Sequence, residues 1–183
     1  LFLLVLIQAA AHAGMRKMVH VSIINPSEDS PYAYFRGKAR VERAIQESGL
    51  PYTILRPTVV FGPEDILINN IAWMIRTFPV FAMPGSGDYL LQPVYVDDLA
   101  RLAVTAGASS KSEILDAAGP QILTYRELVE RVANAIGRRI SVIGAPLWLA
   151  YSLGRLVGWF VHDVVLTYEE VAALANGVLY SVR

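Results

Sequence analysis

Tyr34 and Lys38 stand four residues apart in the segment Tyr34-Phe-Arg-Gly-Lys38. In a helix, residues at that spacing lie on one face. An ammonium beside a phenol favours the tyrosinate and draws the tyrosine pKa down from about 10. Such a tyrosine can give or take the proton at a carbonyl or alcohol oxygen while a hydride moves. Ser22 ends an apolar, β-branched stretch just upstream, and its hydroxyl is placed to hydrogen-bond the same oxygen. Alone, the pair is a weak signal. With nine tyrosines in the chain, a lysine follows one of them at this spacing by chance in roughly one chain in seven. The plain alternative is a surface helix carrying an amphipathic tyrosine and a solvated lysine. Tyr32 makes no second pair, because Arg36 occupies the corresponding position.

Other residue types offer less. His12, His20 and His162 are far apart and lack metal-ligand spacing, so they read as core or surface histidines. Asp97 and Asp98 read as acids of a first helical turn, where the helix dipole favours them. Arg56, directly before Pro57, reads as a buried structural cation.

These residues need elements to hold them. Residues 3–13 are rich in Leu and Ala, without Pro or Gly, and predict a helix that Gly14 stops. Residues 15–24 turn β-branched and apolar, as a buried strand does. Residues 25–31 form a loop of Pro, Ser and Asp. A helix over 34–48 ends at Gly49, and a strand over 52–61 ends at Gly62 and Pro63. The order helix, strand, helix, strand implies a parallel sheet with crossover helices. Beyond it the pattern predicts a helix over 66–77, a loop or short hairpin over 79–93, and a helix over 96–106. A strand over 113–117 follows. Thr124 and Glu127 form a capping box that opens a helix over 124–136. A short strand over 140–143 and helices over 146–160 and 167–175 complete the chain.

Composition narrows the function classes. The chain has 183 residues, 54% of them apolar and 17% charged, with a formal net charge of zero. A neutral chain without a basic stripe is not expected to bind nucleic acid. The absence of cysteine excludes disulfides and thiolate metal sites and is compatible with the cytosol. The opening run Leu-Phe-Leu-Leu-Val-Leu-Ile lacks the cationic flank of a signal peptide and is too short to span a bilayer. It is expected to be a buried helix that begins upstream of residue 1. Residues 146–166 are nearly all apolar but are interrupted by Arg155, His162 and Asp163. They suit a substrate wall or an oligomer face better than a membrane span, with a membrane-surface helix as the third alternative.

The segments Val19-His-Val-Ser22, Tyr34 to Lys38, Glu42, Leu55-Arg-Pro-Thr-Val-Val-Phe-Gly-Pro63 and Val94-Tyr-Val-Asp-Asp-Leu-Ala100 follow one another over roughly 85 residues. In this order and spacing the chain resembles the C-terminal part of an extended or atypical short-chain dehydrogenase/reductase, in the NAD-dependent epimerase/dehydratase-like group. The resemblance implies an α/β fold: a partial Rossmann-like parallel sheet over residues 1–118 and a small substrate or interaction region over 119–183. It implies Ser22, Tyr34 and Lys38 as catalytic residues. It also implies that Lys38 holds the nicotinamide ribose of NAD or NADP, and that Pro57 and Val60 flank the nicotinamide. The segment Thr167-Tyr-Glu-Glu-Val171 resembles the C-terminal region of atypical members related to a respiratory complex I subunit.

The departures are as specific. No G-x-x-G-x-x-G turn follows a strand, so the helix N-terminus that would hold a pyrophosphate is absent. The residue that selects NAD or NADP has no counterpart, and neither does the family's catalytic Asn within residues 1–13. Roughly the first 100 residues of such an enzyme are expected to be missing. Two functions follow as expectations. One is an NAD(P)-dependent oxidoreductase or epimerase/dehydratase, incomplete on its own, acting on a small-molecule substrate in the cytoplasm. The alternative is a truncated, non-catalytic binding or assembly module that homo-oligomerises through exposed apolar elements.

Overall fold

The computed structural model describes residues 2–146 and Ser152. In chain order the elements are α1 (Phe2–His12), β1 (Met18–Val21), α2 (Ala33–Glu47), β2 (Tyr52–Pro57), β3 (Val59–Phe61), α3 (Ile66–Thr77) and β4 (Val80–Pro84). They continue with β5 (Leu90–Leu91), β6 (Pro93–Tyr95), α4 (Val96–Ala108), β7 (Glu113–Ala117), β8 (Leu123–Thr124), α5 (Tyr125–Ala135) and β9 (Ser141–Ala145). The helices expected over 146–160 and 167–175 lie outside the described residues. The described chain falls into two compact units. One takes in residues up to Thr58 together with Val94–Gly119; the other holds Val59–Pro93 and the described residues from Pro120 onward.

The first unit is a parallel sheet of order β1-β2-β7. Each strand enters from a helix, so the crossovers keep the strands parallel. The register sets Met18 beside Tyr52, and His20 beside Ile54, which in turn sits beside Ile114. Side chains alternate along a strand, so these residues share one face. That face packs against α1 and α2 through Ile7, Val41 and Ile45. Val19, on the opposite face, lies beneath Gly107 of α4. Asp97 and Asp98 fall in the first turn of α4, as their position predicted. Helix α1 stops at Gly14, where φ is +65°, and α2 is followed by Gly49 at +76°. Both are left-handed conformations that glycine adopts without a side-chain penalty.

Two expectations for this sheet change. The strand expected over 15–24 is regular only from Met18 to Val21, although backbone bonds from Ser22 N to Leu55 O (2.7 Å) and Ile24 N to Pro57 O (2.9 Å) prolong its pairing with β2. The strand expected over 52–61 is two strands, parted at Thr58. Thr58, Val59 and Val60 suit a continued strand, and Pro57, which has no N–H to donate to a ladder, is the local sign of the break.

In the second unit, α3 and α5 close over an apolar cluster with Ile71, Ile75, Phe81, Met83 and Val129 at its centre. Asp65 caps α3 by accepting from Ile68 N at 2.7 Å. Thr124 and Glu127 make the expected capping box on α5. Residues 79–93 do not form a hairpin. Strand β4 instead pairs in parallel with β9, and β5 pairs antiparallel with β8. The Gly85-Ser-Gly87 turn that separates β4 from β5 is shaped by packing: a Cβ at Gly87 would collide with the Met83 sulfur, and φ there is +76°.

Candidate functional site

The site grows from the carboxyl end of β1. Continuing the register of β1 and β2 by one residue sets Ser22 beside Arg56, and Arg56 pairs in register with Asp116 of β7. Alternation puts Ser22 on the same face as His20, the face covered by α2. Ser22 is only 3% exposed, and among the described residues its hydroxyl has no hydrogen-bond partner.

Helix α2 brings Tyr34 and Lys38 to this edge. Its buried stripe is Phe35, Glu42 and Ile45. That stripe leaves Tyr34 54% exposed, beside the half-buried Lys38. The Lys38 ammonium donates to the carbonyl of Val21 at 3.2 Å, one residue before Ser22. It also lies 5.7 Å from the centre of the Tyr34 ring, within the range of a cation–π attraction. Burial lowers the Lys38 pKa from its ordinary value, against the opposing pull of the Glu42 carboxylate. Lys38 therefore links the strand end next to Ser22 with the ring of Tyr34. Pro57 is buried next to them in sequence register, its carbonyl accepting from Ile24 N at 2.9 Å. Val60 is half-buried in β3, within the second unit.

Below this group lies a set of charges that the spacing of residues did not expose. Arg56 holds Glu42 through Nε, at 3.1 and 3.2 Å from the two carboxylate oxygens, and through Nη2 at 2.6 Å. Arg56 was expected as a buried cation, but its partner was not foreseen. Glu42 is four residues beyond Lys38 and one helical turn further into the core, which is the signal that would have found it. His20, read only as a core or surface histidine, has a buried Nε2 without a partner among the described residues. Burial lowers its pKa first and the Lys38 charge lowers it further, while Glu42 opposes both. Among the described residues no group of three His, Asp or Glu could hold a metal ion. No helix of the described residues is long and apolar enough to cross a membrane.

Comparison with known proteins identifies the family. Residues 3–117 match the NAD dependent epimerase/dehydratase family. The NADH dehydrogenase [ubiquinone] 1 alpha subcomplex subunit 9 of Arabidopsis thaliana, a mitochondrial protein, is 27% identical over 94% of this chain and 46% of its own length. A (4-alkanoyl-5-oxo-2,5-dihydrofuran-3-yl)methyl phosphate reductase of Streptomyces griseus is 29% identical over 71% of this chain and 45% of its own. Among solved structures, the dTDP-glucose 4,6-dehydratase of Streptomyces venezuelae with NAD bound superposes with a TM-score of 0.61 at 26% identity, covering 78% of this chain and 52% of that one. The chain thus spans about half the length of these relatives. Its α/β architecture is Rossmann-like, and the chain belongs to the NAD dependent epimerase/dehydratase family.

Proposed function

We propose that this chain carries the proton-transfer centre of an NAD(P)-dependent oxidoreductase or epimerase/dehydratase and acts on a small-molecule substrate. The observation that carries the reading is the placement of Lys38. Its ammonium ties to Val21, beside Ser22, and at the same time lies against the Tyr34 ring. Held there, it places a positive charge beside the Tyr34 ring. Tyr34 then exchanges a proton with a substrate oxygen. Among the described residues the buried Ser22 hydroxyl lacks a partner, and the same substrate oxygen would supply one. The residues present fit a nicotinamide nucleotide in part. Lys38 would hold its ribose and Pro57 would border its ring, and when bound the group supplies or accepts the hydride. The pyrophosphate-binding turn is not in this sequence, so the contacts at Lys38 and Pro57 are proposed to hold the nucleotide weakly. Residues 119–183 are proposed to select the substrate, and the cytoplasmic placement belongs to the same reading.

Calorimetric titration of the full chain with NAD(H) and NADP(H) tests it. Saturable binding of either pair, weakened by Lys38→Ala, is expected. No binding of any of the four at millimolar concentration sinks the reading for this chain. A second reading then takes over, that of a non-catalytic assembly module. The Arabidopsis relative's name as a subunit of NADH dehydrogenase favours it, and so do the exposed Val5 and Leu6 of α1. Homo-oligomerisation belongs to that reading, and sedimentation at micromolar concentration checks it.

A further inference from the structure

We propose that Glu42, clamped by Arg56, is a positioning residue for the Tyr34–Lys38 pair: it ties α2 to β2 at the level of Ser22 and supplies a fixed negative charge one turn below Lys38. The inference rests on the reading that Tyr34 and Lys38 act together. Three observations carry it. Glu42 is 2% exposed, and three hydrogen bonds from one guanidinium hold its carboxylate. Glu42 lies at i+4 from Lys38, as Lys38 does from Tyr34, so Lys38 neighbours both on the helix surface, with Tyr34 on its exposed side and Glu42 on its buried side. Arg56 stands in the strand row of Ser22 and Asp116, so the clamp fixes the helix at the height where Ser22 must meet a substrate.

A buried ion pair is a poor choice for stability alone, because apolar residues of similar volume serve as well or better. What apolar residues cannot supply is charge. The titratable and charged groups around Lys38 are Tyr34 and Glu42 of α2, His20 of β1 and Arg56 of β2, with Asp116 of β7 beside Arg56. Burial works against the Lys38 ammonium, and Glu42 is the group that offsets it. Burial and the Lys38 charge both lower the His20 pKa, which disfavours a second positive charge there. Helix α1 contributes the apolar Ile7 to this face.

The test is the titration of Lys38 in the full chain, followed by the NMR signal of ¹³C-labelled lysine ε-carbons and assigned with Lys38→Arg. Glu42→Gln is expected to lower the Lys38 midpoint by about one pH unit or more, the scale of a lost opposite charge. Glu42→Asp is expected to restore part of the shift. The double variant Glu42→Met/Arg56→Met removes the charges without stranding either one, and serves if Glu42→Gln does not fold. A folded double variant with a lowered Lys38 midpoint supports the proposal. An unchanged midpoint overturns it. A double variant that cannot fold overturns it too, since the pair would then be a requirement of the fold. The readout is independent of cofactor binding: a silent NAD(P) titration with a displaced Lys38 midpoint removes the oxidoreductase reading and leaves this one in place.

Discussion

The ammonium of Lys38 and the carbonyl oxygen of Val21 are 3.2 Å apart, which fastens the second turn of α2 to the last residue of β1. The contact spends one lysine donor on the backbone and leaves two for other acceptors. It also holds the lysine still beside the Tyr34 ring.

Tyr34→Phe is the sharpest probe of that arrangement. The ring is 54% exposed, so the substitution should change unfolding free energy by no more than about 0.5 kcal/mol in urea titrations. Turnover by a cofactor-loaded enzyme should fall about 10²–10⁴-fold. A loss of several kcal/mol of stability would mean that the phenol is structural.

Glu42→Ala should behave in the opposite way. It strands the largely buried Arg56 guanidinium without its carboxylate. We expect a loss of about 3–5 kcal/mol, read from denaturant midpoints. Exchanging both partners for methionine should recover most of it. A double variant as weak as the single one would refute the buried-charge account.

Stability should also depend on pH through His20. Its folded-state pKa lies below the ordinary 6.5, so near that pH the unfolded chain binds a proton more readily than the folded one. The His20 contribution is therefore whole above about 6.5 and is lost as pH falls through the lowered folded-state value. Melting temperature followed from pH 8 to pH 5 should decline over the acid half. The decline should flatten in His20→Gln. Equal slopes in the two proteins would exclude His20 as the source.

Thr53→Val should stabilise the first unit. Thr53 is 0% exposed in the middle strand, and among the described residues its hydroxyl has no partner. An unsatisfied buried hydroxyl costs about 1–3 kcal/mol, while valine keeps the shape. A gain of about 1 kcal/mol is expected in thermal or urea unfolding. A clear loss would reveal that the hydroxyl does have a hydrogen-bond partner.

The local elements were largely legible in the residues. Helix α3 runs over 66–77 and β7 over 113–117, as expected. Caps and left-handed glycines are local signals, and Thr124, Glu127, Gly14 and Gly49 acted where they stood. Pairing was not legible. Alternation tells which face of a strand is apolar but not which strand lies beside it. Nothing near Val80 points to Ser141, its register partner. The same limit applied to the site. Ser22, Tyr34 and Lys38 could be put forward as candidates because two of them share a helix and the third directly follows the preceding strand. The Arg56–Glu42 clamp joins a strand to a helix; the i+4 spacing from Lys38 marks Glu42, but only the closed fold shows Arg56 as its partner.

The passage from Thr58 to Val59 has a consequence for modular exchange. The chain leaves the first unit there, returns at Val94 and leaves it again after Gly119. Neither unit is therefore a continuous stretch of sequence. A single crossover between related genes cannot transplant one unit whole: a cut at Thr58 strands α4 and β7, and a cut at Gly119 carries Val59–Pro93 along with the parallel sheet. Swaps that keep both units intact must replace Val59–Pro93 and the segment from Pro120 together. Chimeras should retain their fold only when both pieces come from the same parent.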